Sequence, residues 1–314
     1  MPVAELSNLT STISLGKTQA FRNLAVVPLL DPSKGAAGYL ALDEALRRGQ
    51  TEITEVSDAG SVPQLKLRNR GPYEVFLLDG EELVGAKQNR ILNLSILVPG
   101  HSELEIPVSC VEQGRWSWRG RGFGGSDRVI FAKLRRKNAE SVSVHLAEQN
   151  SRTSDQRGVW KYVSDKAQRM SVHSDTGAAS ALFERYQQDL DEFVAELKPV
   201  PGQVGAAFLV NGRFAGLDVL AGPDLLARLL PKLVRSYALD AMDEEATAST
   251  GSSPTAAVQS VQRAIGAVGR MNMETHPAIG RGQDLRLKGS GLVGGALIDG
   301  DSMIHLGVWS AAYQ

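Results

Sequence analysis

The stretch "VFLLDGEELVGAKQNRILNLS" runs from Val75 to Ser95. It opens with an apolar run, turns at Asp79-Gly80 and continues into a second apolar run. Asp-Gly between apolar runs is a strong hairpin signal, because both turn residues adopt positive φ at low cost. Two later stretches repeat the pattern, "AFLVNGRFAGLDV" (207–219) and "GALIDGDSMIHLGV" (295–308). Together they predict an α+β protein, with antiparallel β-hairpin-rich sheets packed with several amphipathic helices. Independent hairpins and an ancient duplication of one β-rich unit are both open readings. Strands and helices do not alternate regularly enough for a Rossmann or β/α-barrel fold.

Working outward, "LAVVPLL" (24–30) is a short apolar strand, and "TEITEVS" (51–57) and "QLKLRNR" (64–70) alternate as half-buried strands do. "YEVFLLDG", "RILNLSILV" and "LEIPVSCVE" follow as further strands bounded by Gly, Pro or Asp. Leu40, Leu42 and Leu46 suggest a short helix. Leu182, Tyr186, Leu190, Phe193 and Leu197 recur at helical spacing across 178–197, as do Val258, Val261, Ile265 and Val268 further on. A further helix spans "GPDLLARLLPKLVRSYALDAM" (222–242), where Pro231 is expected to kink or divide it. The glycine- and arginine-rich 117–125 reads as a mobile or ligand-ordered loop, and 246–255 as a loop of small polar residues. Residues 1–19 form an N-terminal arm and 20–314 a single domain, β-rich to about 116 and mixed helix and hairpin from about 155.

Formal net charge is −1 over 314 residues, so the bulk field favours neither nucleic acid nor a membrane surface. The balance is local: between Arg115 and Lys137 eight basic residues face one acidic residue, Asp127. One cysteine, Cys110, excludes an intrachain disulfide and a Cys-based zinc site. The five histidines show no ligand spacing, and no phosphate-binding loop or GxSxG motif is present, so neither metal nor cofactor is expected. No stretch approaches the ~20 apolar residues of a membrane span, and no secretory signal is evident. A cytoplasmic protein is expected, with homo-oligomerisation left open.

Two strands carry the chemistry. A period of two puts Leu104, Ile106, Val108, Cys110 and Glu112 on one face, so Glu112 follows three aliphatics and a thiol toward the interior. A carboxylate there must be paired, hydrogen-bonded or protonated. It is either a functional group or half of a structural ion pair with Arg115. On 89–98, Asn89, Ile91, Asn93, Ser95 and Leu97 alternate with Arg90 and aliphatics, which offers amides and a hydroxyl to a polar ligand or to solvent. Glu81, Glu82, Lys87 and Gln88 precede them, and Lys87 and Arg90 are equally consistent with cross-strand ion pairs. "CVEQGRWSWRGRGFGG" (110–125) adds guanidinium forks and flat aromatic faces, the groups that bind phosphates and stack on bases. General nucleic-acid binding is not expected, because the RG-rich piece is short and internal.

"GEELVGAKQNRILNLSILV" followed by "IPVSCVEQGRW" resembles the hallmark region of the ARG-and-rhodanese-phosphatase-superfamily-associated protein domain family. "AKLRRKNAESVS", "SDQRGVWKYV", "FLVNGRFAGLDVL" and the closing "HLGVW" extend the resemblance from about residue 20 to the end. The positions it carries over are Glu81, Lys87, Gln88, Asn89, Arg90 and Asn93, then Pro107, Cys110, Glu112, Gly114, Arg115 and Trp116. Gln156 and Trp160 match more loosely, and the "WRGRGFGG" loop is variable. The family's name implies, by association, a role in NAD or ADP-ribose metabolism. On that footing the expected ligand is a nucleotide or phosphorylated sugar. Arg90 and Arg115 would serve the pyrophosphate, Gln88, Asn89 or Asn93 the ribose hydroxyls, and Trp116 would stack. A hydrolase would use Glu112 or Glu81 as general acid/base, with Cys110 a lesser candidate. The rival expectation is a non-catalytic interaction or oligomerisation module.

Overall fold

A computed structural model describes residues 9–244 and 254–313. The chain forms α+β architecture divided into two compact units: residues 1–37, 189–278 and 282–314 in one, 38–188 and 279–281 in the other. The polar loop read at 246–255 lies largely outside the described residues. Among the described residues no helix is long and apolar enough to cross a membrane.

The first unit is built on a nine-stranded antiparallel sheet. At its centre Gln203–Val210 turns at Asn211 and Gly212, both at positive φ, into Arg213–Leu220, as the Asn-Gly signal requires. Leu292–Asp299 and Ser302–Ser310 make the second expected hairpin, and Arg213–Leu220 pairs with Ser302–Ser310. One face buries Leu209, Leu217, Leu306 and Val308 against Val261, Ile265 and Val268 of the helix Pro254–Val268. Helix Pro223–Glu244 packs through Tyr237, stacked on Phe208 with ring centroids 3.9 Å apart. Pro231 does not divide this helix. Leu229, Leu230, Leu233 and Val234 around it are all buried, and that burial outweighs the lost hydrogen bond.

The second unit contains a closed six-stranded antiparallel barrel and a small three-stranded sheet. Here the Asp79-Gly80 stretch departs from expectation. Val75–Leu77 and Glu81–Ala86 do not pair with each other. Val75–Leu77 lies between Ile96–Val98 and Leu40–Ala41 in the small sheet, whereas Glu81–Ala86 enters the barrel between Arg119–Val129 and Arg90–Leu92. The turn is made locally, with Gly80 at positive φ and Glu81 N–H donating to Leu78 O, but its arms leave for different sheets. The run 90–98 is likewise two strands, broken at Asn93, and the 178–197 helix divides at Tyr186 into Ser180–Arg185 and Gln187–Glu196.

Closure depends on one long strand. Ser102–Cys110 pairs with Gln64–Asn69 from Ser102 to Pro107, then passes to Arg90–Leu92 from Val108 to Cys110. The segment expected as a glycine-arginine loop is the barrel strand Arg119–Val129, joined to Thr51–Glu55 at Gly122↔Thr54 and to Glu81–Ala86 through two register shifts. Its glycines allow backbone to approach backbone. Gly85 has φ +139°, and a Cβ there would meet Gly122 O at 2.5 Å. Ile53, Leu65, Leu67, Leu83, Leu92, Ile106, Val108 and Phe123 fill the interior. Gly85→Ala should therefore cost roughly 2 kcal/mol or more, read as a lowered melting temperature. An unchanged melt would show that the Gly85/Gly122 approach does not constrain the barrel.

Candidate functional site

The sequence-predicted residues converge on one end of the barrel. Opposed residues in an antiparallel pair share a face, and Arg90 lies opposite both Leu83 and Cys110, so its side chain enters the same interior as Leu92 and Val108. Glu55 is two residues beyond Ile53 and opposite Leu65, which places it on that interior face too. Arg90 is fully buried, with Nη2 4.0 Å from Glu55 Oε1. Its Nη1 donates to Gln88 Oε1 at 2.8 Å. Nε and Nη2 of Arg90 and both Glu55 oxygens have no hydrogen-bond partner in the protein. Burial presses the Arg90 pKa below its usual range, against the pull of Cys110 and Glu55. Burial also pushes the Cys110 thiol up, leaving a poor nucleophile.

Over this pair sits an aromatic and cationic cover. Trp116 and Trp118 are 48% and 45% exposed, and Lys87 Nζ lies 5.1 and 5.0 Å from their ring centroids. The Arg90 guanidinium carbon is 5.7 Å from the Trp116 centroid. Lys87 Nζ donates to Asp58 O at 2.6 Å and Ala59 O at 2.7 Å, so the lysine holds the 57–60 turn in place. Gly60 in that turn, at positive φ, leaves no free room for a side chain: a Cβ there would lie 3.2 Å from Lys87 Cδ and Trp116 Cζ2 and 3.4 Å from Glu55 Oε2.

Arg115 is fixed nearby. Its Nη1 donates to Ala86 O (2.8 Å) and Ser117 O (2.9 Å), and its Nη2 to Gly85 O, Asn89 Oδ1 and Glu112 Oε2, the last at 2.7 Å. Glu112 Oε2 also accepts from Asn89 N, and its Oε1 from Thr176 Oγ1. Burial works to raise the Glu112 pKa, but these donors prevail and hold the carboxyl below the usual range. Gln88 Nε2 donates to Glu112 O. Asn93 accepts from Ser109 Oγ and donates to Arg152 O. Glu81 Oε2 accepts from Leu78 N. Gln156 clasps the Cys110 backbone at both N and O. Arg115, Gln88, Asn89 and Asn93 thus have their side chains engaged by the protein itself.

Two further groups belong to this region: Glu55, which the sequence reading did not name, and Glu82, which it named in the polar strip without giving it a site role. Glu55 was legible in principle, since it follows Ile53 on an apolar face as Glu112 follows Cys110. Glu82 is the other. It is buried, 3.5 Å from Arg128 Nη1, and its Oε1 accepts from Asn89 Nδ2 at 3.4 Å. Burial, only partly offset by Arg128 and Asn89, pushes its pKa up to about 7. Asn89 therefore links two carboxyls of opposite habit, Glu82 near neutrality and Glu112 held ionised.

A family model described as "ARG and Rhodanese-Phosphatase-superfamily-associated Protein domain" matches residues 12–309, nearly the whole chain. The chain belongs to this family. The stretch 81–90, within the matched residues, supplies Glu82, Lys87, Asn89 and Arg90 to this region. No curated protein and no solved structure matches the chain.

The Glu82 carboxyl sets a pH dependence. Its folded pKa lies above the unfolded value, so the folded state binds the proton more tightly. Its effect is most favourable below about pH 4.5 and is lost as pH rises through about 7. Glu82→Gln should remove this slope and raise stability above pH 7 by up to ~3 kcal/mol. Melting curves from pH 5 to 8 check it; parallel slopes in both proteins would place the Glu82 titration elsewhere. Glu112 acts in the opposite sense: its contribution is full above the unfolded carboxyl pKa and is lost as acid passes its depressed folded value.

Proposed function

We propose that the protein binds a nucleotide-type ligand, ADP-ribose or a related phosphorylated sugar, at the barrel end beneath Trp116. The observation that carries this reading is the buried Glu55–Arg90 ion pair, four of whose polar atoms make no hydrogen bond to the protein, set beneath the half-exposed Trp116 ring. A buried ion pair is costly unless its remaining donors and acceptors are satisfied. A sugar hydroxyl, which donates and accepts at once, suits a carboxylate facing a guanidinium. These atoms are closed off, so the 57–60 turn held by Lys87 has to move for it to enter. The half-exposed rings of Trp116 and Trp118 supply stacking faces, and the exposed Arg119 and Arg121 supply phosphate contacts. Arg115 supports the site by holding its walls, because its guanidinium is already directed at three backbone carbonyls and Glu112.

Glu82 keeps its proton to about pH 7 while Glu112 is held ionised and Glu81 caps a backbone N–H. But Glu82 opposes Ile91 and so lies on the strand face away from Arg90, which leaves the reading at binding rather than hydrolysis. One observation favours the rival, a non-catalytic interaction module: most of the hallmark polar strip is spent on internal hydrogen bonds.

Calorimetric titration with ADP-ribose, NAD, AMP and ribose 5-phosphate tests the reading. Saturable ADP-ribose binding is expected, weakened about tenfold or more in Trp116→Ala by loss of a stacked ring, and weakened again in Glu55→Gln. Absence of heat with all four ligands, from a protein that melts cooperatively, would sink the nucleotide reading in favour of the module.

A further inference from the structure

Residues 56–63 join strand Thr51–Glu55 to strand Gln64–Asn69 and place Gly60 next to Glu55, Lys87 and Trp116. None of these connecting residues is buried, and Ser57, Asp58 and Ala59 are exposed. A segment without an apolar anchor opens locally at little cost. Its tip is shaped by Gly60 N donating to Ser57 O. From outside it is held by Lys87 Nζ, which donates to Asp58 O and Ala59 O, and by the pair of Asp58 with Arg121 at 3.7 Å. Both members of that pair are almost fully exposed, so it contributes little. Lys87 is the latch.

The latch is a buried cation without an anion. Lys87 is 7% exposed, its ammonium lies against the rings of Trp116 and Trp118, and among the described residues no carboxylate comes within 4.0 Å of it. The guanidiniums around it each have one: Arg90 faces Glu55, Arg115 binds Glu112, and Arg119 and Arg121 stand 4.0 and 3.7 Å from Glu112 and Asp58. An ammonium buried on carbonyls and ring faces alone is poorly compensated. A phosphate oxygen, with its full charge, satisfies it better than a neutral carbonyl does.

We propose that Lys87 is the phosphate anchor of the barrel-end site, and that a phosphate releases the 57–60 turn by taking its lysine. The inference rests on the nucleotide-type reading above and names the part of such a ligand that the site requires. Two of the three N–H donors of Lys87 are on the turn, so a phosphate gripped through more than the third takes them away. Arg121 exchanges Asp58 for the same phosphate, and the freed turn uncovers Glu55 and Arg90 for the sugar. An unphosphorylated nucleoside has nothing to offer the latch and meets a closed turn.

The test compares ADP-ribose with adenosine by calorimetry and follows the amides of residues 58–60 by hydrogen exchange, in the wild type, Lys87→Met and Lys87→Arg. The wild type is expected to bind ADP-ribose at least about tenfold better than adenosine, the scale of one charge-assisted bond, and ADP-ribose should speed exchange across 58–60. In Lys87→Met that preference should disappear, and exchange at 58–60 should be about tenfold faster without any ligand. Lys87→Arg should keep the preference. Protected amides in Gln64–Asn69 show that the barrel of each variant is intact. Arg121→Ser, at a position exposed enough to leave folding alone, should lower ADP-ribose affinity several-fold and spare adenosine. Equal affinity of the wild type for the two ligands, or equal loss of both in Lys87→Met, would overturn the proposal and leave the nucleotide reading standing. Exchange at 58–60 that neither Lys87→Met nor ADP-ribose changes would do the same. A folded wild type that binds neither ligand would overturn both.

Discussion

The barrel end is organised by one buried guanidinium. Arg115 ties the end of the Glu81–Ala86 strand, through Gly85 O and Ala86 O, to the Glu112 carboxylate just beyond the long Ser102–Cys110 strand. Charge-assisted bonds of this kind are roughly twice as strong as neutral ones, and a planar fork satisfies several acceptors at once. Without it Glu112 would keep only Asn89 N, the Thr176 hydroxyl and the Arg119 guanidinium at 4.0 Å to offset its burial. With it, Asn89 is held between Arg115 and Glu82, the Lys87–Gln88–Asn89 bend is fixed, and Arg90 is delivered to the interior beside Glu55. The candidate site follows from that anchoring.

The contrast between Glu82 and Glu112 arises from the same arrangement. Both carboxyls are buried, and both make contact with Asn89. Glu112 receives Arg115, a backbone N–H and a hydroxyl, and these outweigh its burial. Glu82 has Arg128 at longer range and one amide, and burial prevails. Donor supply separates the two carboxyls.

Much of the fold was legible from residue pattern. An apolar run located the strand at 24–30, alternation those around 51–55, 64–69 and 102–110, and Asn211-Gly212 marked a true hairpin. The failures share a cause: turn chemistry is local, but partner choice is not. Asp79-Gly80 makes a turn wherever its arms go, and nothing within 75–95 tells that Val75–Leu77 prefers Ile96–Val98. The glycines of 117–125 read as a loop because the sequence does not show the opposing Gly85 that needs them as a close neighbour. For the site, the cluster from Glu81 to Trp116 was visible, but not that Arg115, Gln88, Asn89 and Asn93 would be engaged internally. Glu55 could be placed on the apolar face of Ile53, but not its partner, since Arg90 lies 35 positions along the chain and meets it only when the barrel closes.

Barrels differ in where they are thinnest. Among the described residues, Arg119–Val129 and Thr51–Glu55 are registered through Gly122↔Thr54, whereas Ser102–Cys110 is laddered along nearly its full length. A seam held by so short a ladder breathes more readily than its neighbours, on the principle that local opening starts where backbone pairing is sparse. Thr54 adjoins Glu55, so any opening of this seam would expose that carboxylate first.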